Sequence, residues 1–526
     1  MSHPKELLFE EEARCKLFEG IRTLAEALSL TLGPKGRNVG FESWKAPKIS
    51  NDGNQIANEI ELEDPFANMG ASLAKEAIST IKEKCGDGST SGIVLLHAIV
   101  EQGIKSLGVG QNPILMKRGM EKALQAILSH LDQTALPIKS NEEIKNIATV
   151  AASGNELVGS MIAEAFKKAG KEGAISIEEA KGCETSVEMS EGMEIDRGYY
   201  SSYFCTNGEK LTVDMTSPYL LLTDKKISSI QEILGILQSV ASTGRELLIV
   251  ADDLESDVLA TLVINKLKGI LKVAAIKAPG FGDQRKALLE DLAALTGAVF
   301  ISEEKGFSLQ KVALEQLGGA EKVFITKDKT LISGGKGTKK AIQNRIAIIQ
   351  SELQKSSSHE KDLLEKRKAK LSSGLAIIKV GAHSESEMQA LKQLFADSLN
   401  STRSAIEEGV VMGGGVALLR AQESCKKLKL DTKEKLGAEI LFRALQSPAK
   451  QILENAGHQS ALLIDQILKE KPGFGFNVIS EQMEDFSKTG LFDPLKVVKT
   501  SLTHAVSIAT LVLTSEVLLT DAKEDK

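Results

Sequence analysis

The sequence predicts a multidomain protein, mainly helical toward both ends and α/β in its middle. Three observations predict it. At 526 residues the chain is too long for one core, and roughly three or four domains are expected. Apolar residues recur at helical spacing toward both ends. In the middle, brief apolar runs alternate with helical stretches, as in an α/β domain.

Leu17, Ile21, Leu24 and Leu28 mark an amphipathic helix near the start. Thr31-Leu32-Gly33-Pro34-Lys35-Gly36-Arg37-Asn38 breaks it. Gly33 and Gly36 let the backbone pass close to a ligand, and Lys35 and Arg37 bring positive charge. A second turn, Gly86-Asp87-Gly88-Ser89-Thr90, runs into a helical pattern read from Ser91 through Ile93, Leu96 and Val100 to Ile104. The first amides of such a helix have no internal partner and its dipole favours an anion. Asp87 is a hard oxygen ligand suited to magnesium beside phosphate oxygens, and Ser89, Thr90 and Ser91 add hydroxyls. That set suits a triphosphate with its magnesium ion, although the same run also reads as an ordinary capped helix start.

Tyr219-Leu220-Leu221-Leu222, Glu246-Leu247-Leu248-Ile249-Val250 and Val273-Ala274-Ala275-Ile276 read as short strands. Between them, Ile230, Ile233, Leu234, Leu237 and Val240 form one helical stripe; Leu259, Leu262, Val263 and Leu267 form another, with Ile264 at its margin. Such stripes are ordinarily core, and periodicity does not say which way they face. Residues 343–372 read as two charged helices folded back on each other, broken at Ser356-Ser357-Ser358-His359. On a helix over 385–408, about 100° per residue aligns Met388, Leu391, Phe395, Leu399 and Ile406. Asp397 falls on the opposite, polar side, where periodicity alone makes it a solvated aspartate. Gly413-Gly414-Gly415 then opens the run Val416-Ala417-Leu418-Leu419. There is no G-x-x-x-x-G-K-[ST] loop and no G-x-G-x-x-G beside a strand, so a nucleotide site here has another design.

Composition excludes several classes. A formal charge of −6, without a basic stripe interleaved with aromatics, argues against a nucleic-acid partner. Cys15, Cys85, Cys183, Cys205 and Cys425 are scattered and lack C-x-x-C spacing, so reduced thiols are expected. The seven histidines show no ligand spacing, and no zinc site is expected. The N-terminal residues lack a signal-peptide apolar stretch, which points to a cytoplasmic protein. Residues 501–520 carry no Lys or Arg but are interrupted by His504, Glu516 and many hydroxyls. A buried core helix is expected there, and no membrane span.

Long strings carry a family resemblance. They are Thr31-Leu32-Gly33-Pro34-Lys35-Gly36-Arg37-Asn38-Val39, Glu59-Ile60-Glu61-Leu62-Glu63-Asp64, Glu191-Gly192-Met193 with Asp196-Arg197-Gly198-Tyr199, Lys277-Ala278-Pro279-Gly280-Phe281-Gly282-Asp283, and Glu407-Glu408-Gly409-Val410-Val411 before the glycine triplet. In that order, over residues 9–521, the chain resembles the type I chaperonins, the GroEL family. The resemblance implies a GroEL-like chaperonin fold of three parts: a mainly helical equatorial domain from 1–133 and 408–526, a small intermediate domain from 134–190 and 375–407, and an α/β apical domain over 191–374.

It also implies an ATP-dependent chaperone that captures non-native polypeptides and folds them in a ring cavity under a GroES-like lid co-chaperonin. The assembly would be a heptameric homo-oligomeric ring. Asp52 and Asp397 match the family's catalytic acids, Asp397 on a segment that swings over the phosphate to orient water. Thr31, Leu32, Gly33, Pro34, Asn51, Asp87, Gly88, Ser89, Thr90, Ser91, Gly414, Asn477, Val478, Ile479 and Asp493 match its nucleotide contacts. Asp87 would hold Mg2+, and Thr31, Asn51 and Thr90 would hold K+. Tyr199, Tyr203, Phe204, Leu234, Leu237, Leu259, Val263 and Ile264 match a groove for client and lid. Arg197 and Glu385, an intersubunit ion pair in the family, are both present.

Departures point to a diverged paralogue. Asn51 stands where the family usually has lysine, and Ser153 where it has asparagine. Lys450 and Gln459 replace an arginine and a glutamate near the ring-to-ring contact, which bears on the double ring. The alternative is a chaperonin-derived binding or scaffold protein with impaired ring assembly or ATPase.

Overall fold

The computed structural model describes residues 4–521 except 43–47, 109, 153, 171–172, 181, 209–210, 354–357, 373, 426–427 and 429. Ser153 and part of the expected helix break at 356–359 therefore lie outside the described residues. The chain forms two compact units, Met1–Ala163 with Gln389–Lys526, and Glu164–Met388.

The first unit is helical. Leu17, Ile21, Leu24 and Leu28 of helix Glu10–Ser29 all reach its core. That helix crosses Pro65–Cys85 so closely that a Cβ at Gly20 would lie 1.9 Å from the Ala67 carbonyl oxygen, and one at Gly70 2.0 Å from that of Leu17. Glycine is required at both positions because backbone meets backbone there. Local chemistry sets the helix ends. Asp52 caps Gly53–Glu59, Asp64 with Pro65 starts Pro65–Cys85, and left-handed Gly86 (φ 77°) ends it. Helix Ser89–Leu107 starts two residues earlier than periodicity indicates, because Ser89 and Thr90 already lie within its first turn.

Helix Leu495–Thr514 is long and apolar enough to cross a membrane by length and composition. Here it packs against Ser89–Leu107, Pro65–Cys85 and Pro113–Thr134, burying Leu502, Val506, Ala509 and Val512. Strand Lys5–Phe9 pairs antiparallel with Val517–Asp521, so the two ends of the described chain meet in this unit.

The second unit centres on a parallel sheet in the order Val273–Lys277, Leu247–Ala251, Tyr219–Thr223, Phe300–Ile301. Its three longer strands contain the three apolar runs read from sequence, except that Glu246 falls just before its strand. Gly318–Gly319 adds an antiparallel edge. Gly192–Ile195, Thr330–Ser333, Lys322–Ile325 and Val213–Thr216 make an antiparallel sheet, and Ala174–Glu179, Leu375–Val380 and Ser186–Ser190 a mixed one. Helices Lys339–Leu353 and Ser358–Ser372 pack on each other. Arg345 and Arg367 tie them to buried Asp291 on Gly282–Thr296, at 2.5 and 2.8 Å. Breaking one partner of such a buried set leaves an uncompensated charge, so the cluster fixes where these helices dock.

One stripe differs from its expectation. Ile230 lies in a short 3-10 turn capped by Ser229, and the helix proper is Leu234–Thr243. On Ser256–Leu267 the buried face is Val258 and Leu262, while Leu259 and Val263 sit at its margin and Ile264 and Leu267 are exposed.

Candidate active site

The first unit gathers acids from distant parts of the chain around the turn at 86–88. Gly86 and Gly88 both have positive φ, 77° and 90°. A Cβ on Gly86 would strike Asn400 Cβ at 2.3 Å; one on Gly88 would strike Ser501 Oγ at 2.6 Å. The turn is thus clamped between helices Glu385–Glu408 and Leu495–Thr514. Ser501 Oγ also donates to the Gly88 carbonyl at 3.0 Å.

Asp87 is exposed, and its Oδ1 accepts from the Gly88 amide at 2.6 Å. Beside it Ser89 is buried, and its hydroxyl finds no hydrogen-bond partner among the described residues. A buried hydroxyl left unsatisfied at a helix N-terminus marks a place where a ligand oxygen fits. Among the described residues, no group of three or more His, Cys, Asp or Glu side chains could hold a metal alone. One carboxylate with substrate phosphates is how Mg2+ usually binds, so Asp87 fits that ion.

Gly53, next to Asp52, lies against the first turn of helix Ser89–Leu107: a Cβ on it would meet Thr90 Oγ1 at 2.6 Å, and Asp52 itself caps the helix that Gly53 begins. Its Oδ1 accepts from the Gln55 amide at 2.7 Å. Lys82, in the last turn of Pro65–Cys85, places Nζ 2.7 Å from Asp52 Oδ2 and 2.7 Å from Asp397 Oδ2. Asp397 is therefore not the solvated residue its helical angle implies. Ser401, about one turn from Asp397 on the same side of the helix, is fully buried, as are Ser398 and Thr402 toward the apolar stripe. These small hydroxylated residues allow close helix contact, and Ser398 Oγ donates to the Ala148 carbonyl at 2.7 Å.

Burial raises the Asp397 carboxyl to about 6; Lys82 opposes the rise, and the charges of Asp52 and Asp87 add to it. Burial also works to lower the Lys82 ammonium, but Asp397 and Asp52 outweigh it and leave it raised. Asp493 pairs with Val411 between strands Phe492–Pro494 and Val410–Met412. Burial pushes it up to about 7, the Asp87 charge adds, and a hydrogen bond from the Gly414 amide opposes. Asp87 is thus within electrostatic reach of both Asp397 and Asp493. Four carboxylates, Asp52, Asp87, Asp397 and Asp493, share one neighbourhood.

The loop 31–38 is held by Asn455, whose Nδ2 donates to the carbonyls of Ser29 and Leu32 at 2.8 and 2.9 Å. Thr31 Oγ1 donates to the Leu28 carbonyl at 2.8 Å, and Pro34 is exposed. Gly33 has φ 87° and lies against Ile452. Lys35 pairs with Glu481 at 2.9 Å, linking this loop to the turn that carries Asn477, Val478 and Ile479. Asn477 accepts from the Ile479 amide at 2.9 Å, Val478 is buried and Ile479 is exposed. Asn51 is exposed, and no hydrogen bond joins Thr31 to Asn51 or Thr90 among the described residues. Ser91 is half-buried on the first turn of Ser89–Leu107.

Sequence reading missed Lys82. Its only local signal is a lysine near a helix C-terminus, which the helix dipole explains without any site.

In the second unit, Tyr203 (65%), Ile264 (49%) and Leu234 (38%) are exposed, and Tyr199, Leu259 and Val263 are half-buried. Leu237 departs from the expectation: it is buried in the core of this unit and only borders a groove also lined by Val240, Arg245 and Leu271. Phe204 corrects the expectation. It is fully buried in the core of this unit, because the 3-10 turn Ser202–Phe204 directs it inward while Tyr203 turns out. Lys266 Nζ bonds the Phe204 carbonyl from outside.

Residues 24–523 match the model of the TCP-1/cpn60 chaperonin family. The chain is 52% identical over 528 aligned positions to "Chaperonin GroEL 3" of Protochlamydia amoebophila (strain UWE25), covering 100% of this chain and 99% of that protein. Among solved structures it resembles the chaperonin gp146 from the bacteriophage EL 2 (Pseudomonas aeruginosa), crystallised in the presence of ATP-BeFx. The TM-score is 0.75 at 19% identity, over 98% of this chain and 99% of that one, a likeness of fold.

Proposed function

The chain belongs to the TCP-1/cpn60 chaperonin family, whose members are chaperones of protein folding, and we propose that it drives folding by hydrolysing ATP at the acid-lined site of its first unit. The observation that carries the proposal is that Asp52 and Asp397 share one lysine while Asp87 acts electrostatically on both Asp397 and Asp493, beside a helix N-terminus whose buried Ser89 hydroxyl lacks a partner among the described residues.

Asp87 would hold Mg2+, which would neutralise charge on the phosphate oxygens. The free amides of helix Ser89–Leu107 and the hydroxyls of Ser89, Thr90 and Ser91 would grip the phosphates. Backbone of Thr31, Leu32, Gly33 and Pro34 would flank the nucleotide. Asn477, Val478 and Ile479 offer an amide and apolar side chains to a base, and Asp493 beside Gly414 offers an acceptor to a ribose hydroxyl. K+ would bind near Thr31, Asn51 and Thr90.

Asp397 and Asp52 would do the catalytic work. Ionised Asp397 accepts a hydrogen bond from a water and aims its oxygen at the γ-phosphorus. As that O–P bond forms, the bond to the bridging oxygen of ADP breaks and the water's proton passes to the carboxylate. Positioning and charge carry most of such a transfer. Domain movement around Asp397 would make turnover conditional on closure.

Clients would bind the exposed apolar residues of the second unit: Leu234, Ile264 and Tyr203, with Tyr199, Leu259 and Val263 at the margin. Each buried Leu or Ile is worth about 1.5–3 kcal/mol, so a ring of such surfaces can hold an unfolded chain without reading its sequence. A GroES-like lid would compete for the same groove. A homo-oligomeric ring, heptameric by family analogy, in the cytoplasm completes the reading. No observation favours the scaffold alternative.

Particle mass together with steady-state ATPase tests the proposal. A large particle that hydrolyses ATP and slows when lid is added supports it; a monomer without turnover overturns it. The same mass measurement reads the number of rings, which Lys450 and Gln459 leave open.

A further inference from the structure

We propose that Lys82 is a positioning residue of this ATPase site, an ammonium that ties Asp52 to Asp397 and so fixes the carboxylate that orients the attacking water. The role rests on the ATPase reading above and adds to it a residue that reading does not use.

The geometry is that of a clamp. Lys82 Nζ is 2.7 Å from one oxygen of each carboxylate. The other oxygen of each is held separately, Asp52 Oδ1 by the Gln55 amide at 2.7 Å and Asp397 Oδ1 by Gln393 Nε2 at 3.0 Å. Both acids are therefore anchored at two points, and the shared point is the ammonium. Three side chains from three helical elements meet with only 17%, 23% and 18% of their surfaces exposed, for Lys82, Asp52 and Asp397 in turn. Charge-assisted bonds gain strength in such a setting, and the two acids would repel each other without the cation between them.

The backbone of Lys82 matters too. Its carbonyl accepts from the Gly86 amide at 2.8 Å, closing the helix end from which the Asp87 turn departs. One residue thus joins the turn that meets phosphate to both catalytic acids. Lys84, in the same last helical turn, shows what a lysine serving only the helix dipole looks like: it is exposed and reaches toward His504 at 3.1 Å. Asn51, the sequence neighbour of Asp52, is exposed and carries no charge. Positive charge reaches this acid from across the fold instead.

The test is steady-state ATPase and Mg-ATP binding on the assembled full chain, comparing wild type with Lys82→Met, Lys82→Gln and Lys82→Arg. Removing the ammonium should lower kcat about 100-fold, the scale of a misplaced catalytic group, while the Kd for Mg-ATP changes less than about threefold. Lys82→Arg should recover most of the rate, because a guanidinium can also bridge two carboxylates. On an Asp397→Asn background, Lys82→Met should cost nothing further, since both changes remove the same arrangement. Lys82→Gln carries the comparison if the methionine variant does not assemble.

Wild-type kcat in Lys82→Met overturns the role. So does lost ATP affinity with kcat intact, which would make Lys82 a phosphate ligand, or an additive loss on Asp397→Asn, which would make it merely structural. A wild-type chain without turnover overturns the ATPase reading itself, whereas wild-type turnover with an unimpaired Lys82→Met overturns this role alone.

Discussion

Lys82 Nζ lies 2.7 Å from Asp397 Oδ2, and this contact draws the aspartate out of solvent into a shared pocket of charge. Asp397 sits mid-helix with Phe395, on the opposite apolar stripe, fully buried, so its backbone is fixed while its carboxylate faces Lys82. Asp397→Ala is expected to leave Mg-ATP binding within about threefold and to cut kcat by 100-fold or more, the usual range for a lost acid–base group. Nucleotide binding and single-turnover hydrolysis, measured on the same sample, check this. Loss of binding with undiminished turnover per bound site would remove the assignment.

The acid limb of the pH profile follows from the same residue. Its carboxyl is raised to about 6, mainly by burial. A raised acid is protonated below that value, so the form able to orient water is lost as pH falls through it. At saturating nucleotide, kcat is expected to drop about tenfold per pH unit on the acid side. A flat profile down to about pH 5 would mean that ionised Asp397 does not limit the rate.

Asp87 should control metal-dependent binding. In Asp87→Asn the helix N-terminus keeps its amides and Ser89 its hydroxyl, but the hard anionic ligand is gone. Wild-type protein at 100 times Kd should gain about 2.7 kcal/mol from Mg-ATP. The variant should lose most of that gain, read as thermal shift with and without magnesium. An unchanged shift would place the metal elsewhere.

Exposure divides the second unit's apolar residues into surface and core. Ile264→Glu and Leu234→Glu are expected to weaken capture of a denatured client at least tenfold with little change in melting. Phe204→Ala should instead cost about 3–5 kcal/mol of stability through the cavity it leaves. Aggregation-suppression assays beside melting curves distinguish the two. Full capture by both glutamate variants would mean that clients bind another face.

Much of the fold was legible because periodicity and capping are local. Leu17, Ile21, Leu24 and Leu28 announce one helix face, and Asp64-Pro65 announces a helix start. The three apolar runs of the middle became parallel strands because each is fully or nearly fully apolar, as a sheet covered on both faces requires. The candidate site was legible only as separate fragments. Nothing local in Asn51-Asp52-Gly53 says that its carboxylate shares a lysine with Asp397, nor in Asp493-Pro494 that its carboxylate feels Asp87, since residues hundreds of positions apart leave no periodic trace. Phe204 and Tyr203 are adjacent aromatics with opposite fates, decided by the direction of one short turn. Lys82 was hidden by having an adequate local explanation.

The pairing of Lys5–Phe9 with Val517–Asp521 has a consequence for biosynthesis. On the ribosome, the unit spanning 164–388 is a continuous segment and can mature while translation continues. The first unit cannot: its strand Lys5–Phe9 must wait for a partner made some five hundred codons later. A nascent chain would therefore expose the apolar face of its second unit, the one proposed to take clients, before the first unit was complete, a window in which it would itself need shelter.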